Sequence, residues 1–446
     1  MVKAIILAAG RSKRMKPIEH KNLLKFCGKT LIVHLIEQLQ EAGIQDFVVI
    51  GGVHNLEKLQ QEIQEWNGGA KVEFCEQENL EEGMAGAVKS AANFLIGQEI
   101  LLVSSNDIVE VEAYSSVLQA SQESAAKVLL LAKKVTSYFP GGYLVKDNQQ
   151  NISAISEKPG EGNEPSDLVN IVVHYHRSGD DLVKFVQAAK SDKDDLYETA
   201  LAAMIQEKFQ VQAVEYAGFW QAIKFPWHIL DAAQFLFEKE FRARQGKIIA
   251  GSAQIAPSAT IKGDVIIEDG VKIFENAVVQ GPCYLGRGTI VANNALVRQS
   301  FIGANSMVGF TTEVARSYLG ENVWTHSNYI GDSIIGDNVS FGAGTVTGNL
   351  RLDEKNVVVE INGCGKIDSG RGKLGIICGN NVRCGIQVSF MPGIKIGNGS
   401  FIGASIAVAQ DIEDEKFVYA KTELIIKDNL AQIDPQKRKE MKAKIK

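Results

Sequence analysis

The stretch IAPSATIKGDVIIEDGVKIFENAVVQGPCYLGRGTIVANNALV, residues 255–297, carries an apolar residue at every sixth position. A second run with the same spacing lies further along the chain. The two runs consist of Ile255, Ile261, Ile267, Ile273, Val279, Leu285, Val291 and Val297, and of Cys378, Cys384, Phe390, Ile396, Ile402 and Val408. A period of six fits neither an amphipathic helix nor a simple alternating strand. It predicts short strands that turn a corner every six residues, so that three hexads close one coil of a solenoid.

Small residues accompany the apolar positions of these hexads. Gly or Ala often follows the apolar residue, and Gly, Asn or Ser often stands at the fourth place, as in 335–338 and 396–399. We expect the apolar side chains to stack inward, coil on coil, while the small residues adopt the turn conformations. The hexads therefore predict a β-solenoid domain over residues 246–427, interrupted by a longer excursion between Thr347 and Leu374.

The length and composition of the chain argue against several classes of protein. A chain of 446 residues is too long for one core, so two domains are expected. A formal net charge of −6 argues against a nucleic-acid-binding protein, whose surface would be basic. No apolar run reaches membrane-spanning length, and the short apolar start is followed at once by basic residues, unlike a secretory signal. The six cysteines form no CxxC pair, which favours reduced thiols over disulfides or a metal site. We expect a cytoplasmic protein with no nucleic-acid or membrane partner.

Residues 1–245 alternate between strand and helix patterns. Strands are predicted at Lys3–Leu7, Phe47–Ile50, Lys71–Cys75 and Ile100–Ser104, and helices at 32–42, 55–65, 84–95 and 227–244. This order predicts a mainly parallel sheet covered by helices, with ligands beyond the carboxyl ends of the strands. Residues 245–247 are the predicted hinge to the solenoid, and residues 428–446 are a predicted basic, solvated tail.

The first strand leads into a loop of small and basic residues. The loop reads Leu7-Ala8-Ala9-Gly10-Arg11-Ser12-Lys13-Arg14-Met15, and Lys21 follows. Small residues let backbone N–H groups approach a phosphate, and cations balance its charge. The loop resembles the LAAGxGxRM signature of the Rossmann-like sugar-1-phosphate nucleotidyltransferases. The resemblance implies attack by a sugar phosphate on the α-phosphate of a nucleoside triphosphate (NTP), with Mg²⁺ as cofactor. It also implies that Arg14 and Lys21 are catalytic cations and that Ala9 and Gly10 bind substrate.

The same resemblance extends through the rest of the first half. Gln77 and the segment from Gly83 resemble the base-reading part of the family, and Ser105-Asn106-Asp107 stands where the family has the aspartate that holds Mg²⁺. Glu157-Lys158-Pro159 matches the EKP sugar contact of the family. The resemblance thus implies a set of substrate-binding residues and one metal ligand: Gln77, Gly83, Gly142, Glu157 and Asn170, with Asp107 for the metal.

Several departures from the family pattern fall in the expected site. They are Ser12, Met84, Asn106, Leu144, Val172 and Ala222. Ala222 is the most serious, because the family has its second Mg²⁺ ligand there, and one aspartate holds a hard octahedral cation only with help from triphosphate and water. Lys224 could supply positive charge instead, or another carboxylate could substitute. The sequence leaves both alternatives open.

A polar stretch in the solenoid carries a second set of motifs. Trp324-Thr325-His326-Ser327-Asn328-Tyr329-Ile330-Gly331-Asp332 breaks the hexad rule, and a histidine can accept a proton from an amine nucleophile near neutral pH. With Asn349 and Lys355, this stretch resembles the family of bifunctional N-acetylglucosamine-1-phosphate uridyltransferase/glucosamine-1-phosphate acetyltransferases. The resemblance implies a left-handed parallel β-helix of hexapeptide repeats that forms a homotrimer and binds acetyl-CoA.

Specific roles follow from that second resemblance. It implies that His326 is the general base, that Tyr329, Asn349 and Lys355 bind the sugar phosphate, and that Ala343 lies near the thioester of acetyl-CoA. The expected partners are therefore small molecules, namely an NTP, a sugar 1-phosphate and acetyl-CoA.

Three functional interpretations remain open at the level of sequence. The first is a bifunctional enzyme of UDP-N-acetylglucosamine synthesis. The second keeps the acetyltransferase but makes the front half a nucleotide-sugar binding or regulatory module. The third is a hexapeptide scaffold with neither activity, which the joint spacing of His326, Tyr329, Asn349 and Lys355 disfavours.

Overall fold

The computed structural model describes residues 2–192, 195–244, 248–421 and 423–444. The predicted hinge Gln245-Gly246-Lys247 lies outside the described residues. In these ranges no helix is both long enough and apolar enough to cross a bilayer.

The front half is built on a mixed sheet. Its strands are β1 (Val2–Leu7), β2 (Lys25–Phe26), β3 (Lys29–Thr30), β4 (Asp46–Gly51), β5 (Lys71–Glu76), β6 (Glu99–Ser104), β7 (Asp107–Val109), β8 (Val128–Lys134), β9 (Gly142–Lys146), β10 (Ile152–Glu157), β11 (Leu168–His176), β12 (Val211–Glu215) and β13 (Trp220–Ala222). The main sheet has the order β10-β9-β11-β6-β1-β4-β5, and β8 and β12 are attached to β11. Strands β6, β1, β4 and β5 are parallel, as predicted.

The other half of the sheet corrects the sequence expectation. Strand β11 pairs antiparallel with β6, β8 and β9, and β9 pairs antiparallel with β10. The chain from β9 to β11 has short connections, which cannot make the crossover that parallel neighbours need. The sheet is therefore parallel on one side and mainly antiparallel on the other, where β12 pairs in parallel with β8.

Helices cover both faces of the sheet. They are α1 (Leu31–Glu41), α2 (Leu56–Trp66), α3 (Gly83–Ser90), α4 (Ala92–Leu95), α5 (Val111–Glu123), α6 (Gly179–Ala188), α7 (Leu196–Gln206) and α8 (His228–Ala243). One predicted helix, 84–95, is broken into α3 and α4 at Ala91, whose ψ of 7° departs from helical geometry. Apolar side chains fill the space on either side of the sheet and form two separate cores.

The second half is a left-handed parallel β-helix with three faces. The first face holds β14 (Ile248–Ile249), β17 (Val265–Ile267), β20 (Cys283–Leu285), β23 (Phe301–Ile302), β26 (Tyr318–Leu319), β28 (Ile334–Ile335), β33 (Ile377–Cys378) and β36 (Lys395–Ile396). The second holds β15 (Gln254–Ile255), β18 (Lys272–Ile273), β21 (Ile290–Val291), β24 (Met307–Val308), β29 (Ser340–Phe341), β34 (Arg383–Cys384), β37 (Phe401–Ile402) and β39 (Phe417–Val418). The third holds β16 (Thr260–Lys262), β19 (Val278–Gln280), β22 (Leu296–Arg298), β25 (Glu313–Ala315), β27 (Tyr329–Gly331), β30 (Val346–Thr347), β35 (Ser389–Phe390) and β38 (Ala407–Val408).

The hexad residues point into this prism, as the period of six predicts. Most of them are buried in one continuous core, with Ile255 and Ile261 at its partly exposed first coil. The hexad pattern ends after Val297 because the coils shorten. Val279 pairs with Val297, three full hexads further along, whereas Val297 pairs with Val314, one position short of three hexads.

Two segments outside the coils complete the second half. The predicted excursion contains the hairpin β31 (Val358–Ile361) and β32 (Gly365–Asp368). The last coil strand ends at Val418, earlier than expected, and Leu424–Ile426 are exposed. The described part of the tail is exposed throughout and includes a helix that the sequence analysis missed, α9 (Pro435–Ala443).

A shared core joins the two halves. Helix α8 and the loop after β1 pack against the first face of the prism and the hairpin through a set of buried residues that includes Met15, Phe26, Trp227, Phe237, Tyr318 and Val359. The Tyr318 hydroxyl donates to the Lys25 carbonyl (3.0 Å), and the Asn398 amide donates to the Pro17 carbonyl (3.0 Å). The basic loop of the front half is therefore braced by the prism.

Candidate active sites

The loop after β1 follows a path that suits glycine. The Ala8 N–H donates to the Ile50 carbonyl (2.8 Å), and Gly10 has open space around it. Ser12 has a left-handed backbone, with φ of 52°, and its hydroxyl is buried without a hydrogen-bond partner. Serine at this position therefore keeps the path of the family glycine at the cost of backbone strain and an unpaired hydroxyl.

Cations gather where this loop meets the end of β13. The Lys21 ammonium donates to the Ile223 carbonyl at 3.4 Å. Burial and, to a smaller extent, the charge of Arg14 lower the pKa of Lys21 to about 8, while Asp107 acts in the opposite direction. Burial also lowers the pKa of Lys224 to about 8. Arg14, Lys21 and Lys224 thus lie close enough to act on one another electrostatically, and the two lysines also act on the carboxylate of Asp107.

That carboxylate, Asp107, lies at the start of β7. Its Oδ1 accepts a hydrogen bond from the Trp220 indole N–H (2.8 Å), and strand pairing places Ala222 directly across from it. Burial raises the pKa of Asp107, while the Trp220 hydrogen bond and the charge of Lys224 favour the ionised form.

These residues do not fit a resident Mg²⁺ ion. Such an ion needs near-octahedral oxygen ligands, and the residue facing Asp107 is the methyl side chain of Ala222. The charged groups that act on Asp107 are the ammonium groups of Lys224 and Lys21, which would repel a cation. Among the residues that the structure describes, one group of three side chains could converge on a metal, and it does not include Asp107: His34, Glu37 and Glu240.

A cavity of about 200 Å³ opens beside the N-terminal loop. The residues lining it include the predicted nucleotide-binding positions Ala9, Gly10, Gln77 and Gly83, together with Met84 and Asn106. The Gln77 amide donates to the carbonyls of Asn79 (2.9 Å) and Gly83 (2.7 Å). Both amide hydrogens therefore hold the loop, and the Gln77 oxygen is the atom suited to accept from a ligand.

The predicted sugar-binding residues also lie together. Strand pairing sets Gly142 opposite Glu157, and a Cβ at Gly142 would come within 3.0 Å of the Glu157 carboxylate and 3.7 Å of Asn170. The Asn170 oxygen bonds to the His174 ring (2.8 Å). Leu144, a departure from the family loop, is fully buried in the core rather than in this site.

In the prism, polar side chains from successive coils form one network. The Arg316 guanidinium makes two 2.7 Å bonds to the Asp332 carboxylate. The Asn349 amide donates to Asp332 (2.5 Å) and to the Tyr329 hydroxyl (3.1 Å). The predicted pair Tyr329 and Asn349 is therefore brought together, and a carboxylate and a guanidinium hold it in place.

Sequence reasoning gave no role to Arg316 or Asp332. The sequence signal for this pair was the separation of the two residues, which is close to the length of one coil. Residues at that separation lie above one another on neighbouring coils of the same face. An arginine–glutamate pair at similar spacing, Arg298 and Glu313, is stacked in the same way (2.6 Å).

Asn328 connects the predicted base, His326, to the segment that contains the predicted thioester position, Ala343. Asn328 accepts a bond from the His326 N–H (2.5 Å) and donates to the Gly342 carbonyl (2.8 Å), the residue before Ala343. His326 is exposed, and so is Lys355, which lies on the excursion. The structure therefore links His326 to Ala343 but shows no contact between Lys355 and the Tyr329–Asn349 pair.

Comparison with known proteins gives consistent matches along the chain. Residues 3–238 match the nucleotidyl transferase family, and residues 244–330 match the GMPPB C-terminal domain. A bifunctional protein GlmU of Methanocaldococcus jannaschii is 32% identical over 95% of this chain and 99% of its own length. A bifunctional protein GlmU of Methanococcus maripaludis is 34% identical over 95% and 98%. A bifunctional sugar-1-phosphate nucleotidylyltransferase/acetyltransferase of Sulfurisphaera tokodaii is 32% identical over 92% and 98%.

These matches cover both halves in a single alignment, so the relationship is not confined to the nucleotidyltransferase fold. They also agree with the two separate clusters of polar residues, one at the end of the sheet and one on the prism. The chain belongs to the nucleotidyl transferase family, within its group of two-domain bifunctional GlmU-like proteins.

Proposed function

We propose that the protein is a bifunctional enzyme that acetylates glucosamine-1-phosphate and then transfers the uridylyl group of UTP to the phosphate of the product, releasing pyrophosphate and giving UDP-N-acetylglucosamine. The observation that carries the acetyl-transfer half is the network in which Asp332 and Arg316 hold Tyr329 and Asn349 in place. Such preorganised donors stabilise a bound phosphate or a developing oxyanion without reorganisation cost.

In the prism, we assign His326 as the general base that takes a proton from the sugar amine as the amine attacks the acetyl thioester of acetyl-CoA. Tyr329, Asn349 and Lys355 bind the sugar phosphate, and Ala343 lies near the thioester. We further propose a homotrimer, in which a neighbouring prism would enclose the exposed His326 and Lys355.

In the front domain, residues 1–245, the cavity residues Ala9, Gly10, Gln77 and Gly83 bind the nucleotide, and Gly142, Glu157 and Asn170 bind the sugar. Arg14 and Lys21 neutralise charge during transfer, which in phosphoryl chemistry is mostly positioning and electrostatics. Mg²⁺ would enter only with the NTP, and Asp107 is its proposed protein ligand there because triphosphate and water would supply the oxygen ligands that the chain lacks. Because the substrates are cytoplasmic metabolites, we place the enzyme in the cytoplasm.

The test is an assay of both products from the purified protein. Release of free CoA with glucosamine-1-phosphate supports the prism activity. Release of pyrophosphate with UTP and N-acetylglucosamine-1-phosphate supports the front activity. A panel of the other NTPs and of galactosamine-1-phosphate identifies the base and the sugar epimer.

One observation favours a second candidate for the front domain. Ala222 faces Asp107 where the family has a second metal-binding carboxylate. A front domain that lacks this second carboxylate would bind nucleotide sugars without synthesising them. CoA release without pyrophosphate release from any NTP would support this candidate.

A further inference from the structure

Lys224 is held across the front site by two contacts. Its ammonium donates to the Pro140 carbonyl (2.6 Å) and lies 3.8 Å from the centre of the Phe139 ring. The Phe139 ring is in turn 4.6 Å from the Trp220 ring, and Trp220 bonds to Asp107. The side chain therefore bridges from the end of β13 to the segment that leads into Gly142.

Positive charge exceeds negative charge around Lys224. The groups that act on it are the carboxylates of Asp107 and Glu157 and the cations of Arg14 and Lys158. Lys21, also half-buried, adds a further cation to the same region. Among the described residues, Lys224 and Lys21 each have one hydrogen-bond acceptor, although an ammonium carries three donors. An anion at this place would accept hydrogen bonds from the unused donors and balance the excess positive charge, so the arrangement favours anion binding.

The position of Lys224 also indicates which anion this is. Its electrostatic partners Glu157 and Lys158 lie at the sugar edge, on β10 and just after it, and its acceptor Pro140 is two residues before Gly142. The nucleotide cavity is lined by other residues and does not include Lys224. A phosphate beside Lys224 would therefore lie at the sugar edge of the site and outside the nucleotide cavity.

The alanine at 222 and the lysine at 224 act together in this arrangement. The first removes a carboxylate that could hold a metal opposite Asp107, and the second brings a positive charge to the same strand end. Lysine binds phosphate as a compact point charge and needs no metal to do so.

We propose that Lys224 binds the phosphate of the sugar 1-phosphate directly and makes this binding independent of divalent metal. This rests on the sugar-1-phosphate site proposed for the front domain. Binding is measured separately from turnover, so loss of nucleotidyl transfer and loss of this contact are distinguishable.

The test is calorimetric titration of N-acetylglucosamine-1-phosphate into the full chain, in EDTA and in Mg²⁺. The Asn349→Ala background removes binding at the prism. We expect the same Kd within about twofold in both buffers, an increase of Kd of about tenfold or more in Lys224→Gln, and a small change in Lys224→Arg. Gln keeps a donor for Pro140 without the charge, and exposed Lys184→Ala is the matched control.

Three results would overturn the proposal. They are binding that requires Mg²⁺ in the parent protein, Lys224→Gln binding as tightly as the parent, and no binding of the sugar phosphate in either buffer. A parent that binds in EDTA through Lys224 but releases no pyrophosphate keeps the proposal and removes only the nucleotidyl-transfer activity. The double change Ala222→Asp with Lys224→Gly should make binding at least fivefold tighter in Mg²⁺ than in EDTA, and equal binding in the two buffers would contradict the exchange of metal for lysine.

Discussion

At the scale of single residues, the two sites differ in how far each side chain is already held in place. In the prism, Tyr329 and Asn349 are fixed by Asp332, and His326 is tied through its backbone to Asn328. In the front domain, serine replaces the loop glycine and alanine replaces a metal ligand. The prism therefore carries its donors in position, whereas the front site depends on its cations and on the substrate.

His326→Ala should lower acetyl transfer by about 10² to 10⁴, the usual contribution of a general base. The residue is exposed within its own chain, so the variant should fold like the parent. The measurement is CoA release at saturating substrates, with Ser327→Ala as the neighbouring control. Turnover equal to that of the parent would remove His326 from the mechanism.

Ser12→Gly should stabilise the protein by about 1 kcal/mol, because it relieves the left-handed strain of a non-glycine residue and removes an unpaired buried hydroxyl. Ser12→Ala removes only the hydroxyl and keeps the strain. The free energy of unfolding in urea should therefore follow the order Gly above Ala above Ser. A destabilised Ser12→Gly variant would show that the hydroxyl has a partner in solution.

At the scale of elements, the antiparallel half of the front sheet depends on a buried polar network. The Tyr197 hydroxyl on α7 bonds to His174 (2.8 Å) and His176 (3.0 Å) on β11, and His174 bonds to Asn170. Burial lowers the pKa of both histidines to about 3. The helix is therefore attached to the strand through neutral imidazoles, and the strand carries a predicted sugar-binding residue.

This network predicts a loss of stability in mild acid. Between pH 6.5 and pH 3 these histidines are protonated in the unfolded chain but stay neutral in the folded protein. The free energy of unfolding therefore falls as the pH drops from 6.5 toward 3. The loss by pH 5 is at most about 2 kcal/mol per histidine. Urea unfolding at pH 7 and pH 5 measures it, and His176→Gln should reduce the difference. Equal stability at the two pH values would mean that these histidines are not held neutral.

Among the structural elements, those with a periodic residue pattern could be predicted from the sequence. The inward hexads and the parallel strands β1, β4, β5 and β6 follow from spacing along the chain. The contacts that it missed join distant segments: Lys224 reaches Pro140 on the far side of the front site, and Arg316 reaches Asp332 over a coil whose length varies along the prism. Antiparallel β11 was missed because its partners β6, β8 and β9 are distant along the chain, and the residue pattern of a buried strand does not specify the direction of its neighbours.

At the scale of the whole molecule, the two halves share a core. Helix α8 begins near Lys224, and Asp231 in its first turn forms an ion pair with Arg371 of the prism excursion. Phe237 further along α8 is buried against Phe301 of the prism, with ring centres 5.6 Å apart. The prism therefore supports the front domain through α8, the helix that follows the front site along the chain.

Phe237→Ala should destabilise this shared core by about 3 to 5 kcal/mol, the usual cost of emptying a buried phenylalanine site. Because the core joins the halves, both activities should be lost at the same lowered temperature. The measurement is residual pyrophosphate and CoA release after heating, with exposed Phe417→Ala as control. Loss of one activity alone would mean that the halves are stable independently of each other.

The most direct test of the bifunctional assignment is a single reaction with glucosamine-1-phosphate, acetyl-CoA, UTP and Mg²⁺, followed by NMR. The two sites together predict stoichiometric UDP-N-acetylglucosamine, free CoA and pyrophosphate from one purified protein. N-acetylglucosamine-1-phosphate accumulating without the nucleotide sugar would restrict the enzyme to its prism activity. Unchanged glucosamine-1-phosphate and acetyl-CoA would contradict the assignment of His326, Tyr329 and Asn349 to acetyl transfer.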